Sequence, residues 1–127
     1  MYKGPERRKY KRIRKRYIMR FSVRPHTEED EGSRWDMVAL VDIGAGGALF
    51  YYNEKIEKDS ILDLKINFAP ERDPIECTAQ VVRVEELEYS YMFLVAVNFQ
   101  DISDEDKLML IDAAEQFYSR KPRSLED

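Results

Sequence analysis

The sequence predicts a mainly β fold, a small antiparallel barrel or sandwich of six short strands followed by one C-terminal helix. Three observations carry this. Six runs alternate apolar and polar residues with a period of two and are rich in β-branched and aromatic types. Turn-forming residues separate the runs. From Ser103 the apolar period changes to that of a helix and holds as far as Lys121.

Residues 1–15 have no clean apolar period and read as a flexible basic arm. The first strand begins at Tyr17. Tyr17, Met19, Phe21 and Val23 alternate with Ile18, Arg20, Ser22 and Arg24, and Pro25, which has no amide hydrogen for a ladder, stops the run. Residues 26–33 (HTEEDEGS) form an acidic loop that contains the lone histidine, His26. A second strand covers residues 35–41, and a glycine-rich turn from Asp42 to Gly47 leads to a third at 48–52. Residues 61–68 alternate most cleanly, with Leu62, Leu64, Ile66 and Phe68 on one face. The fifth strand, 75–84, places Ile75, Cys77, Ala79 and Val81 together, and the sixth, 92–99, does the same with Phe93, Val95, Val97 and Phe99.

The helix has its own signals. Ser103 is an N-cap, Asp104, Glu105 and Asp106 fill the first turn, and Arg120 and Lys121 stand in the last, an order that complements the helix dipole. Leu110, Ile111, Ala114, Phe117 and Tyr118 form the apolar stripe, and Pro122 ends the helix. The expected organisation is one domain: arm 1–15, barrel 16–102, helix 103–121 and tail 122–127.

Charge is divided unevenly along the chain. Residues 1–24 hold eleven Lys/Arg against one acid, or +10, and the remaining ten Lys/Arg face 24 acids, or −14, which together make the net −4. Such an arm suits an anionic ligand, and its blander role is to dock on the acidic body or to solubilise the chain. A nucleic-acid backbone is a poor partner, because a body of −14 repels it. No apolar run approaches the roughly 18 residues of a membrane span. No h-region follows the cationic start, and a single cysteine forms no internal disulfide, so a cytoplasmic protein is expected. Catalysis is not indicated. His26 lacks a partner pattern, Cys77 reads as a small buried hydrophobe, and there is no metal cluster, P-loop or dinucleotide fingerprint.

Two segments remain. In ERRKYKR, Arg8 and Arg12 stand four apart ahead of the first strand, with Arg7 beside them. Their planar guanidinium forks match phosphate oxygens and the O6/N7 edge of guanine. In DIGAGG, Asp42 can accept from a guanine's N1 and N2 hydrogens, and Gly44 and Gly47 permit positive φ or close backbone approach.

With these motifs in this order, the chain resembles the PilZ domains, a family with an RxxxR arm ahead of its first strand and a (D/N)xSxxG turn after its second. Arg8 and Arg12 match the arm, and Asp42 and Gly47 match the ends of the turn. Val81-Val82-Arg83-Val84 and Val95-Ala96-Val97-Asn98-Phe99 are also similar to the family's later strands. The resemblance covers roughly Glu6 to Ile102. It implies a six-stranded β-barrel that binds the bacterial second messenger cyclic di-GMP without chemistry. Arg8 and Arg12 would then engage phosphates and guanine edges, with Arg7 as a weaker contact, Asp42 would read a guanine and Gly47 would keep the turn tight. The arm would order on binding and signal to a separate protein partner. One position departs from the family: Gly44 stands where the family has serine, which removes a hydroxyl bond worth on the order of 1 kcal/mol. That departure favours a second role, a nucleotide-independent adaptor in which Gly44→Ser would create binding.

Overall fold

The computed structural model describes residues 10–24 and 34–126, the side chains of 120–126 excepted. Its elements are β1 (Arg12–Ile13), β2 (Ile18–Val23), β3 (Asp36–Gly44), β4 (Gly47–Tyr52), β5 (Ile61–Asn67), β6 (Ile75–Glu86), β7 (Phe93–Asp101) and α1 (Asp104–Glu126). Six strands pair antiparallel in the order β3–β2–β5–β6–β7–β4, and β4 returns to β3, so the sheet closes into a barrel. Closure leaves none of the six with an open edge. The short strand β1 is additional and lies along the end of β3.

Period-two patterning accounts for the interior. Leu62, Leu64 and Ile66 of β5 face Ile75, Cys77, Ala79 and Val81 of β6 inside the barrel, joined by Met19, Phe21, Phe50, Val95 and Val97. Phe21 packs against Phe50 and edge-on against Tyr52, with ring centroids 5.4 and 5.0 Å apart. The pattern fails at the end of β2, where Val23 is exposed and Ser22 buried. Helix α1 begins as its sequence predicts: the Ser103 hydroxyl accepts from the Asp106 amide at 3.1 Å, and Leu110 and Ala114 enter the core.

Three features differ from the expectations. The arm is not loose through Lys15, because Arg12 and Ile13 pair with β3 and Ile13 is 1% exposed. Strand β3 continues through Asp42 to Gly44, so the turn shrinks to Ala45 and Gly46, since β1 supplies a partner for those last residues. Helix α1 runs past Pro122 to Glu126. The proline removes one amide from the ladder, and the other bonds carry the helix on. Among the described residues, no helix is long and apolar enough to cross a membrane.

Burial pushes the Cys77 thiol from 9.0 up to about 12, and the charges of Asp106 and Asp101 add to the effect. The neutral thiol is therefore the native form, and its contribution to stability is intact below pH 9.0 and is lost as the pH rises towards about 12. Iodoacetamide at pH 8 should label Cys77 only after the protein is unfolded. Rapid labelling of native protein would contradict this burial.

Candidate functional site

The site forms at one end of β3, and a bulge creates it. Leu40 pairs with Phe50 and Ile43 with Ala48, all in the core, yet 40 and 43 are an odd number of residues apart. The register shifts between Leu40 and Asp42, so Val41 is the extra residue. Without the bulge Asp42 would follow Leu40 into the core. With it, Asp42 pairs with Leu49 on the outer surface and Ile43 turns inward.

The arm then covers Asp42. In β1, Ile13 lies opposite Ile43 and joins the core, which sets Arg12 opposite Gly44 on the outer face. Asp42 is the diagonal neighbour on that face, within reach of a long side chain. Arg12 Nη1 donates to Asp42 Oδ1 at 2.8 Å, and Asp42 is only 6% exposed. Among the described residues nothing else takes Asp42, so Oδ2 has no partner there.

The glycines act by proximity. None of Gly44, Gly46 and Gly47 has a φ in the left-handed region. A Cβ on Gly44 would lie 2.6 Å from the Lys11 carbonyl oxygen and 3.5 Å from Arg12 Cγ. The arm backbone and the stem of Arg12 thus lie directly on Gly44, where the family motif has serine. A Cβ on Gly46 would meet the Tyr10 ring at 3.3 Å, and one on Gly47 would overlap the Val97 carbonyl oxygen. Gly44→Ser should push β1 off β3. We expect faster hydrogen exchange at Lys11–Ile13 with the barrel amides unchanged, and protection equal to that of the unsubstituted chain would refute the contact.

Helix α1 holds the arm from the other side. The Tyr118 hydroxyl donates to the Arg12 carbonyl, Glu115 pairs with Lys11 at 3.6 Å, and Lys107 sits 5.3 Å over the Tyr10 ring. The sequence places Tyr118 only in an apolar stripe, and neither β1 nor this contact is foreseen from periodicity.

Of the sequence-predicted site residues, the structure brings Arg12, Asp42 and Gly44 together and sets Gly47 at the start of β4 beside them. Arg7 and Arg8, like His26, lie outside the described residues. Another concavity, about 430 Å³, opens at the other end of β3 among Arg24, Arg34, Asp36, Tyr52, Glu54 and Ser60. Its charges are largely spent on one another. Tyr52 donates to Asp36 at 2.6 Å, and burial, then that bond, pushes the phenol up to about 12, while Arg34 lies 3.6 Å from Asp36. Among the described residues no acidic, histidine and cysteine side chains cluster as a metal site would need.

The model of the PilZ domain family matches residues 6–116. Among solved structures, the chain is similar to the inhibitor of motility MotI/DgrA of Bacillus subtilis, at TM-score 0.75 and 18% identity, over 91% of this chain and 53% of that one. It is similar to the PilZ domain of YcgR from Escherichia coli, solved with c-di-GMP, at TM-score 0.63 and 14% identity over 94% and 98% of the two chains. It is also similar to the MrkH–c-di-GMP complex of K. pneumonia, at TM-score 0.60 and 14% identity over 94% and 56%. The chain therefore spans about half the length of MotI and MrkH. No curated protein sequence matches it.

Proposed function

Because the chain belongs to the PilZ domain family, we propose that it is a cyclic di-GMP receptor that reads the nucleotide with Arg12 and Asp42 on the barrel surface and with Arg8 from the arm. The Arg12–Asp42 pair carries this reading. One side chain supplies a fork for phosphate or for the guanine O6/N7 edge, and the other keeps a carboxylate oxygen for guanine N1 and N2 hydrogens. The pair is already assembled at 2.8 Å, so the ligand meets a formed surface instead of ordering it. The segment ahead of Tyr10 brings Arg8 over the nucleotide, with Arg7 as an additional phosphate contact. This refines the expected switch: Arg12 and Ile13 are paired with β3 already without ligand, so any ordering on binding does not involve β1. On this reading the nucleotide is bound and released without chemistry.

Titration calorimetry with cyclic di-GMP tests the proposal. Saturable heat is expected, and its absence at high micromolar ligand, with the fold intact by circular dichroism, would sink it. A second reading, an adaptor that works through protein contacts alone, is favoured by Tyr89 and Tyr91, which are 100% and 92% exposed on the β6–β7 hairpin beside Glu88. Bare tyrosines of this kind are common interface anchors. The two readings part on the native chain: the receptor binds nucleotide and the adaptor does not. Gly44→Ser no longer serves as the adaptor's rescue, because its Cβ meets the Lys11 carbonyl before its hydroxyl can reach a ligand.

A further inference from the structure

We infer that Tyr118 of α1 is a positioning residue for the arm, so that helix α1 and the nucleotide surface are thermodynamically coupled; the coupling to ligand rests on the reading of Arg12 and Asp42 given above. Strand β1 is only two residues long and pairs with β3 alone. So short a pairing is marginal by itself. Yet Arg12 reaches Asp42 only while the Arg12 backbone lies in register with Gly44.

The helix holds that register. Tyr10, Lys11 and Arg12 are each engaged from α1, by Lys107, Glu115 and Tyr118 respectively. The three contacts differ in weight. The Lys11–Glu115 pair is 3.6 Å long and more than half exposed on both sides, which makes it weak. Lys107 over Tyr10 and Lys11 over Tyr118, at 5.3 and 5.9 Å, are surface cation–π contacts. The directional contact is the Tyr118 hydroxyl on the Arg12 carbonyl, which ties the arm at the residue whose side chain faces Asp42. Phe117, edge-on to the Tyr118 ring at 5.2 Å, is itself packed against the core and steadies the ring.

Two consequences follow from linkage. Loosening α1 should weaken the nucleotide, and nucleotide bound on Arg12 should stabilise the helix by the same factor. The C-terminal helix then reports whether the surface at the end of β3 is occupied.

Tyr118→Phe tests this on the full chain, because it removes the hydroxyl and keeps the ring. Without ligand, hydrogen exchange at Lys11–Ile13 should speed up about fivefold while the barrel strands stay unchanged. Calorimetric affinity for cyclic di-GMP should fall by at most the same factor, and by less the more completely β1 is docked without ligand. In the unsubstituted chain, ligand should slow exchange at Asp112–Ser119. Unchanged exchange at Lys11–Ile13 would overturn the inference, as would bound ligand that leaves exchange at Asp112–Ser119 unaltered. Should the unsubstituted chain bind no nucleotide, the receptor reading fails, and the ligand-free exchange result still decides whether Tyr118 holds the arm.

Discussion

Arg12→Ala should lower affinity for cyclic di-GMP by about a hundredfold or more, the usual cost of truncating one member of a desolvated charge pair that the ligand also uses. Two losses combine. The fork that faces the nucleotide disappears, and Asp42, 6% exposed, loses the cation that pairs with it among the described residues. An uncompensated carboxylate there repels the phosphates and destabilises the fold. Removing one partner of a fully buried pair costs about 3–5 kcal/mol. The Arg12 side chain is 21% exposed, so water shares the work and about 2 kcal/mol is the better figure. For a domain of this size that corresponds to a melting point lower by roughly 8 °C.

The double variant Arg12→Ala/Asp42→Ala separates the two effects. With the orphan charge gone, much of the stability should return while binding stays lost. Arg12→Lys should keep most of the stability and still bind poorly, because an ammonium is a point charge and not a planar fork. The measurements are thermal denaturation by circular dichroism and calorimetry on the three variants. If Arg12→Ala binds within threefold of the unsubstituted chain, the site is wrongly placed.

The fold was largely legible because a closed sheet repeats one rule. Every second residue of β5, and of β6 as far as Val81, is apolar, and those are the residues inside the barrel. Ser103 and the three acids after it mark the helix start for a similarly local reason. The site was half legible. Arg12, Asp42, Gly44 and Gly47 stand out by residue type, but what brings them together is not periodic. In the run VALVDIG the apolar residues are almost continuous, so the bulge at Val41 leaves only a faint trace, Leu40 and Ile43 three apart with an acid between them. Ile13 gives another trace, a single apolar residue among seven bases and a tyrosine from Arg8 to Arg16. An isolated isoleucine has no period, yet it seats β1 in the core and decides which way Arg12 points. Gly44 reads as a lost hydroxyl until the register of β1 is known; then it reads as the space that Lys11 occupies.

Gly47→Ala should be the most damaging glycine-to-alanine change among the described residues. Gly47 starts β4 and pairs with Asn98 of β7, where a Cβ would overlap the Val97 carbonyl oxygen and come within 3.2 Å of Asn98 Cα. Both neighbours are backbone, fixed by the pairing of Ala48 with Val97 and by the Phe99 amide donating to the Gly46 carbonyl at 2.9 Å. No rotamer change can relieve the overlap, so β4 must move away from β7, and that seam is one of six that close the barrel. Overpacking against adaptable side chains costs about 1–3 kcal/mol, and against a rigid ladder about 3 kcal/mol or more is expected. Against a total stability of about 5–15 kcal/mol, such a loss is large. The melting point should fall by at least about 10 °C. Gly46→Ala supplies the contrast. Its Cβ would meet only the edge of the Tyr10 ring at 3.3 Å, a side chain and not a backbone ladder, so a smaller loss of about 1 kcal/mol is expected. Chemical denaturation of both variants reads the difference directly. Equal midpoints would show that the glycine of the turn is there for the nucleotide alone; a wide gap in the expected direction shows that it is needed to close the barrel before any ligand arrives.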